Sequence, residues 1–212
     1  MSLLRIVLIS GFLGSGKTTT LVQMADYLSH RAVLNGNESD EEKVQVAIIE
    51  NEIGTIDLDV KQLNGKGYAI QEMLSGCICC SLRDNLAFTI TGLMETANPE
   101  WLLIEATGLA SAREVIEGIE STVSGFSSIL SLVIVDASRL SYLLGRTESM
   151  VRRQLEQVDT LILNKVDLVS QDEKSEALGF LSEVCPDAKV FELSAENGIA
   201  DEIWQEVFND EK

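Results

Sequence analysis

The sequence has few basic residues for its size. Its 16 lysines and arginines stand against 34 aspartates and glutamates, which gives a formal net charge of −18 at pH 7. A surface of that charge repels nucleic acid and anionic membranes. We therefore expect neither kind of partner; the acidic residues either keep the protein in solution or attract basic partners and cations.

Long apolar runs, prolines and linkers are also scarce. No run approaches the roughly 20 apolar residues that a membrane span needs. The apolar stretch after Arg5 breaks at Gly11, unlike that of a signal peptide. With two prolines and no internal repeat or low-complexity tract, the 212 residues are predicted to form a single cytoplasmic domain over 1–212.

The segment 6–20 has the pattern of a phosphate-binding loop. Four apolar residues, typical of a buried parallel strand, are followed by Gly-x-x-x-x-Gly-Lys-Thr and a helix-compatible segment. Its glycines allow backbone N–H groups to point inward around a polyphosphate at a helix N-terminus. Lys17 is expected to reach the β- and γ-phosphates and to assist catalysis, and the Thr18 hydroxyl to bind Mg²⁺. The predicted nucleotide-binding residues of this loop are Gly11, Gly14, Ser15, Gly16, Lys17, Thr18 and Thr19.

Strands alternate with helices along the rest of the chain. This pattern predicts an α/β fold, a P-loop NTPase with a mostly parallel central sheet and helices on both faces. The only histidine, His30, is placed at the end of the first helix, where a surface role is more probable than metal binding. The predicted strands are 6–9, 44–49, 101–104, 129–135, 160–163 and 189–193, the predicted helices are 18–30, 82–94, 112–119, 149–157, 172–184 and 199–208, and a hairpin-like turn is predicted at 64–67 and a serine-rich loop at 121–128.

A guanine-recognition sequence follows one of these strands. The carboxylate of Asp167 is suited to accept both the N1–H and the exocyclic amine of guanine, a pair that adenine does not present. Lys165 is expected to lie along the base and Asn164 to tie the segment to the phosphate loop. A later strand ends in Ser194 and Ala195, whose backbone N–H groups are placed to meet guanine O6. The alternative is an ordinary helix-capping loop.

Acidic residues end two other strands. Glu105 is expected to act in catalysis and to bind Mg²⁺ through water, and the amide of Gly108 to approach the γ-phosphate. Glu50 and Glu52 favour a switch segment that orders with Mg²⁺ and the γ-phosphate, although an acidic pair is more often a solvated turn. Glu52 is the candidate for orienting the attacking water and a further candidate near Mg²⁺.

Three of the four cysteines lie at 77, 79 and 80. Their spacing is too compact for a structural zinc finger, and adjacent Cys79 and Cys80 would form a strained disulfide. Thiolates select Zn²⁺, Cu⁺ and similar ions, with Co²⁺ and Ni²⁺ also compatible. Transient metal binding by Cys77, Cys79 and Cys80 is favoured over redox chemistry or buried packing. Cys185, beside Pro186, is interpreted as a core residue.

Taken in order, these motifs resemble the CobW-like metallochaperone GTPases, relatives of the urease and hydrogenase nickel-insertion GTPases. The motifs are GFLGSGKTT, ENEIG, GCICC, IEATG and NKVD. The resemblance implies a GTPase that binds a metal in its Mg·GTP state and releases it to a client metalloprotein or cofactor-synthesis enzyme after hydrolysis, and it allows a nucleotide-dependent homodimer. It also implies that Cys79, Cys80 and Glu50 lie near the metal, with Zn²⁺ or Co²⁺ as cargo.

The sequence departs from that family in three respects. Thr55 and Asp57 follow Gly54 where relatives commonly carry another glutamate, and no histidine-rich stretch is present. The sequence ends at Lys212, without the separate C-terminal domain that CobW-like proteins commonly have, as in a short natural form or a truncated chain. On this basis, client recognition is expected to come from elsewhere.

The predicted mechanism is linkage between nucleotide and metal. The γ-phosphate and Mg²⁺ would order the segment 50–59, which completes a metal site with the three cysteines, and hydrolysis would relax it. One alternative is a GTP-driven assembly chaperone for a cobalamin- or metal-dependent enzyme, in which the cysteines transfer no metal. Another is a small-molecule kinase, for which no acceptor pocket or base is evident.

Overall fold

The central sheet of the protein has seven strands in the part of the chain that the computed structural model describes, residues 3–34, 46–50, 68–72, 82–106 and 111–208. The strand order is β3-β2-β4-β1-β5-β6-β7, and all six neighbouring pairs are parallel. The strands are β1 (Leu4–Ser10), β2 (Val46–Glu50), β3 (Tyr68–Glu72), β4 (Trp101–Glu105), β5 (Phe126–Asp136), β6 (Thr160–Asn164) and β7 (Lys189–Leu193).

Helices cover both faces of this sheet. Alternate residues of β1 point to opposite faces: Val7 and Ile9 pack with α1 and α6, and Ile6 and Leu8 pack with α2 and α3. A third apolar cluster joins β5 and β6 to α4 and α5. The predicted α/β fold is confirmed. The helices are α1 (Lys17–Leu34), α2 (Leu82–Thr96), α3 (Ala112–Thr122), α4 (Ala137–Gln154), α5 (Gln171–Val184) and α6 (Asp201–Phe208).

The largest error of sequence reasoning concerns α4. The prediction placed a helix at 149–157, whereas the helix begins at Ala137. Asp136 caps its first turn by accepting a hydrogen bond from the Ser138 N–H at 3.0 Å. Thr147 has non-helical dihedral angles (φ −142°, ψ 37°), so the element is kinked. The predicted helix began only after this kink.

The serine-rich segment before β5 is mostly regular structure, so the predicted loop at 121–128 is wrong. α3 continues to Thr122, and β5 begins at Phe126, three residues before the predicted start. Strand pairing explains the difference, because β5 is hydrogen-bonded along the whole of β1, from Leu4 opposite Phe126 to Ser10 opposite Val133. Backbone pairing of this kind is available to serine as well as to apolar residues.

Sequence reasoning also missed β3. It pairs in parallel with β2, so these two strands are not the arms of a hairpin. The predicted turn at 64–67 lies outside the described residues. The first helix is longer than predicted, because α1 continues to Leu34. His30 is therefore an exposed residue within the helix rather than at its end. No helix among the described residues combines the length and apolarity that crossing a membrane requires.

Candidate functional site

The carboxyl ends of the parallel strands bring the predicted nucleotide motifs to one edge of the sheet. Ile9 of β1 is opposite Glu105 of β4, and Asp136 of β5 is opposite Asn164 of β6. The segment after β7 begins beside Asn164. Ligands of open parallel sheets bind at this edge, so the candidate site has one location although its residues are far apart in sequence.

The glycine-rich loop after β1 requires glycine at two positions for both conformation and space. Gly11 and Gly16 have φ angles of +137° and +103°. A Cβ on Gly11 would lie 2.2 Å from the Ile134 carbonyl oxygen, and a Cβ on Gly16 would lie 2.3 Å from Nδ2 of Asn164. The loop is therefore packed closely against β5 and against the residue that ends β6.

Lys17, Thr18 and Glu105 form a buried polar cluster below that loop. The Thr18 hydroxyl lies 3.0 Å and 3.2 Å from the two carboxylate oxygens of Glu105. Lys17 Nζ lies 4.0 Å from Glu105 Oε1 and donates to the Phe12 carbonyl at 3.4 Å. Both charged residues are almost fully buried, which requires that they be paired. A hydroxyl and a carboxylate held together are hard oxygen ligands of the kind that Mg²⁺ prefers, so these residues fit that ion.

Asn164 joins the phosphate loop to the predicted base-recognition segment. Its side-chain N–H donates to the Ser15 carbonyl at 2.8 Å. Its Oδ1 accepts from the backbone N–H groups of Lys165 and Ala195, each at 2.8 Å. The predicted tie to the phosphate loop is therefore present, and it extends to the segment after β7. In this arrangement the Ala195 N–H, expected to meet guanine O6, is engaged by Asn164.

Asp136 is a site residue that sequence reasoning did not identify. Lys165 Nζ donates to Asp136 Oδ2 at 2.7 Å and to the Gly14 carbonyl at 2.7 Å. Asp136 is 5% exposed, and its other oxygen caps α4, accepting from Ser138. One carboxylate thus fixes both the lysine of the base motif and the start of α4. The available signal was its position at the end of a buried strand, like Glu105 and Asn164.

Asp167 and Ser194 meet through their side chains. The Ser194 hydroxyl donates to Asp167 Oδ1, and the Asp167 N–H donates to that hydroxyl at 3.3 Å. Sequence reasoning had assigned Ser194 a backbone contact and had not anticipated this one. Asp167 is exposed, so its carboxylate is accessible to a base at the sheet edge while Ser194 fixes its orientation.

Several predicted residues lie outside the described part of the chain. They are Glu52, Cys77, Cys79, Cys80 and Gly108. The backbone of Glu50 is described, and it lies opposite Glu105 in the pairing of β2 with β4. Thr19 is exposed in the first turn of α1, and Cys185 is buried, where desolvation raises the pKa of its thiol. Among the described residues, no group of three or more histidine, cysteine, aspartate or glutamate side chains is arranged to hold a metal ion.

Known proteins are similar to this chain in sequence. A family model described as the CobW/HypB/UreG nucleotide-binding domain matches residues 5–192. Zinc-regulated GTPase metalloprotein activator 1 of Dictyostelium discoideum is 26% identical over 226 residues, covering 88% of this chain and 45% of that protein. Zinc chaperone YeiR of Escherichia coli K12 is 30% identical over 162 residues, covering 76% of this chain and 46% of the relative. The chain thus spans about half the length of the curated relatives that it matches.

Solved structures share the fold. Hydrogenase maturation factor HypB from Archaeoglobus fulgidus superposes with a TM-score of 0.65 at 17% identity, covering 97% of this chain and 89% of that one. Zn(II)-bound YjiA GTPase from E. coli has a TM-score of 0.59 at 22% identity, covering 90% of this chain and 57% of that one. Because the family model matches most of the chain, the chain belongs to the CobW/HypB/UreG family of nucleotide-binding domains.

Proposed function

Taking the chain as a member of this family, we propose that it is a GTP-hydrolysing metallochaperone. It binds a transition metal such as Zn²⁺ or Co²⁺ in a nucleotide-dependent way and delivers it to a client metalloprotein or cofactor-synthesis enzyme. Residues 1–212 act as one GTPase domain. One observation carries the nucleotide half of this proposal. The side-chain amide of Asn164 makes hydrogen bonds that connect the phosphate loop, the base motif and the segment after β7.

Hydrolysis uses the buried cluster below the phosphate loop. Lys17 stabilises charge on the β- and γ-phosphates. Thr18 and Glu105 would hold Mg²⁺, which would neutralise negative charge on the phosphates. The close approach of Thr18 to Glu105 supports this assignment. Glu52 orients the attacking water, and the amide of Gly108 contacts the γ-phosphate.

Guanine selectivity comes from the residues after β6 and β7. Asp167 accepts the two guanine N–H donors, and its exposure together with its bond to Ser194 supports that role. Lys165 lies along the base while its ammonium group remains held by Asp136 and the Gly14 carbonyl. An adenine base would leave the Asp167 carboxylate without its donors, which disfavours ATP.

Metal binding involves Cys77, Cys79, Cys80 and Glu50. Support comes from the names of the curated relatives, which include zinc chaperones, and from the thiolate preference for such ions. The backbone of Glu50, where the acidic segment begins, lies opposite Glu105 in the pairing of β2 with β4. Glu105 is the proposed Mg²⁺ ligand. Ordering of residues 50–59 by the γ-phosphate therefore links the nucleotide to the metal.

The test is a metal titration in two nucleotide states. Zn²⁺ and Co²⁺ affinities would be measured with a non-hydrolysable GTP analogue and with GDP, at matched free Mg²⁺. We expect tighter binding with the analogue; a 100-fold difference corresponds to about 2.7 kcal/mol of coupling, which is within the usual range for one switch segment. Equal affinities in the two states would contradict the linkage.

The second candidate is a GTP-driven assembly chaperone for a cobalamin- or metal-dependent enzyme. The observation that favours it is the name of one relative, a metalloprotein activator. A double variant, Cys79→Ser with Cys80→Ser, distinguishes the two functions. A metallochaperone loses metal binding and client activation together, whereas an assembly chaperone whose cysteines carry no metal keeps client activation.

A further inference from the structure

A side chain from α1 holds the segment after β7 in place. Gln23 Nε2 donates to the Ala195 carbonyl at 2.6 Å. Its Oε1 accepts from the Ile199 N–H at 2.7 Å. The two contacts join residues 172 and 176 positions apart in sequence. One half-buried amide therefore closes both sides of the turn that contains the short 3₁₀ helix Ala195–Asn197.

The backbone of Ala195 is held from two directions. Its N–H donates to Asn164 Oδ1, and its carbonyl accepts from Gln23. Ala195 itself is 2% exposed, so water does not readily replace either partner. Asn164 fixes the segment relative to β6, and Gln23 fixes it relative to α1.

α1 also carries the phosphate-binding residues at its start. Gln23 follows Thr18 by five residues, a rise of about 7.5 Å along the helix axis. The helix is firmly packed between them and beyond, because Leu21, Met24 and Ala25 are fully buried. A displacement of the segment after β7 relative to the phosphate loop is therefore resisted by Gln23 through a rigid element.

We infer that Gln23 is a positioning residue for guanine selectivity. It acts through the segment Ser194–Ile199 and contacts neither base nor phosphate itself. This inference rests on the proposed function and on the sequence prediction that the Ser194 N–H of this segment meets guanine O6. Without Gln23, the Ile199 N–H loses its partner and the Ala195 carbonyl keeps only the Gly198 N–H at 3.2 Å. The segment then shifts to satisfy the Ile199 N–H elsewhere.

The experiment compares Gln23→Leu with the unchanged protein and with Gln171→Leu, a matched control at an exposed position at the start of α5. Dissociation constants would be measured for GDP, ADP and the diphosphate of 2-aminopurine riboside, whose base keeps the 2-amino group of guanine but lacks both O6 and the N1–H. For Gln23→Leu we expect about tenfold weaker GDP binding, equivalent to about 1.4 kcal/mol. Binding of ADP and of the 2-aminopurine nucleotide should be unchanged, and Gln171→Leu should behave like the unchanged protein.

A second variant guards against failure to fold. Gln23→Glu keeps the acceptor for the Ile199 N–H but places a carboxylate oxygen instead of a donor beside the Ala195 carbonyl, so GDP affinity should again fall while ADP affinity is unchanged. Melting temperatures without nucleotide show whether each variant is folded. If Gln23→Leu does not fold, the GDP and ADP dissociation constants of Gln23→Glu decide whether Gln23 affects guanine selectivity.

The outcomes separate the inference from the proposed function. If the unchanged protein does not prefer GDP to ADP, the guanine-specific function is wrong and the inference falls with it. If it does prefer GDP and the folded Gln23 variants keep the full preference, only the role of Gln23 is overturned. An equal loss for all three nucleotides also overturns it, because that result indicates a general structural role.

Discussion

The two ends of the candidate site are held in different ways. At the base end, Asn164, Lys165 and Gln23 make side-chain hydrogen bonds of 2.6–2.8 Å to backbone or carboxylate partners. At the phosphate end, the corresponding distances are 3.0–4.0 Å, between Thr18 and Glu105, Lys17 and Phe12, and Lys17 and Glu105. The base end is assembled largely by hydrogen bonds within the protein and contains one buried charge, Asp136, whereas the phosphate end brings two buried charges together, Lys17 and Glu105.

This difference has functional consequences. Hydrogen bonds that preorganise a loop affect which base fits and how much free energy its binding costs. Losing one of them weakens base binding by a moderate amount. Buried charges that act on the phosphates stabilise developing charge in the transition state, and their loss is severe. We therefore expect substitutions at the phosphate end to reduce turnover and substitutions at the base end to reduce selectivity.

The largest effect is expected for Lys17→Ala. It removes the cation proposed to act on the phosphates and leaves the buried Glu105 without that partner. GTP turnover should fall by about 10²–10³-fold, the usual effect of losing one preorganised donor to a developing charge. Steady-state phosphate release measures it, with Lys174→Ala as control, since that lysine pairs with Glu192 elsewhere on the surface. If the Lys17→Ala variant turned over GTP about as fast as the unchanged protein, the proposed role of the buried charges at the phosphate end would be wrong.

The next effect is expected for Asp167→Asn. An amide accepts from only one of the two guanine donors, so GTP binding should weaken by about 1–3 kcal/mol, as for other bidentate base contacts. Xanthosine triphosphate should gain affinity, because the new amide N–H donates to the xanthine 2-oxo group. Competition binding measures both, and turnover at saturating nucleotide should change little. A large fall in that saturated turnover would contradict the division between the two ends.

A smaller effect is expected for Asp136→Asn. The amide oxygen still caps α4, but the charged contact with Lys165 is lost. Asp136 is buried but Lys165 is partly exposed, so solvent screening reduces the cost of losing the charged contact. We expect several-fold weaker GTP binding with a melting temperature within a few degrees of the original. Calorimetric titration combined with thermal unfolding measures it; an unchanged affinity would remove Asp136 from the site.

The smallest effect concerns the helix that follows the base motif. Ser170 and Glu173 form a capping box at the start of α5, and hydrogen bonds from the Ser170 backbone and side chain lower the pKa of Glu173. A carboxyl whose pKa is lower in the folded state stabilises the fold above its unfolded pKa, and this contribution disappears as pH falls through the folded value.

Glu173→Gln should therefore be slightly less stable than the unchanged protein at pH 7. The difference should vanish as pH falls below the ordinary glutamate range. Thermal unfolding of both proteins from pH 7 to pH 3 measures it. A difference that stays constant with pH would show that the carboxylate charge does not contribute to the cap.

Sequence reasoning anticipated where the motifs lie in the fold better than it anticipated their contacts. The pattern of Gly11 to Thr18 predicted a loop after β1, and the structure has one there with positive φ angles. The tie from Asn164 to the phosphate loop was also predicted and is present. Gln23 gave no signal, because a glutamine within an amphipathic helix is ordinary, and its partners lie more than 170 positions away. The roles of Glu52, Cys77, Cys79 and Cys80 stay predictions.

The sequence alone determined the fold class and the chemistry available at the strand ends. Short apolar runs that alternate with helical segments are typical of buried parallel strands, and the polar residues that end such strands meet at one edge of the sheet. Tertiary structure decided the length of β5, the start of α4, the addition of β3 and the partners of Asp136 and Gln23. The physical reason is the same in each case. Strand pairing, capping across elements and hydrogen bonds of side-chain amides between distant segments all depend on neighbours that are remote in sequence.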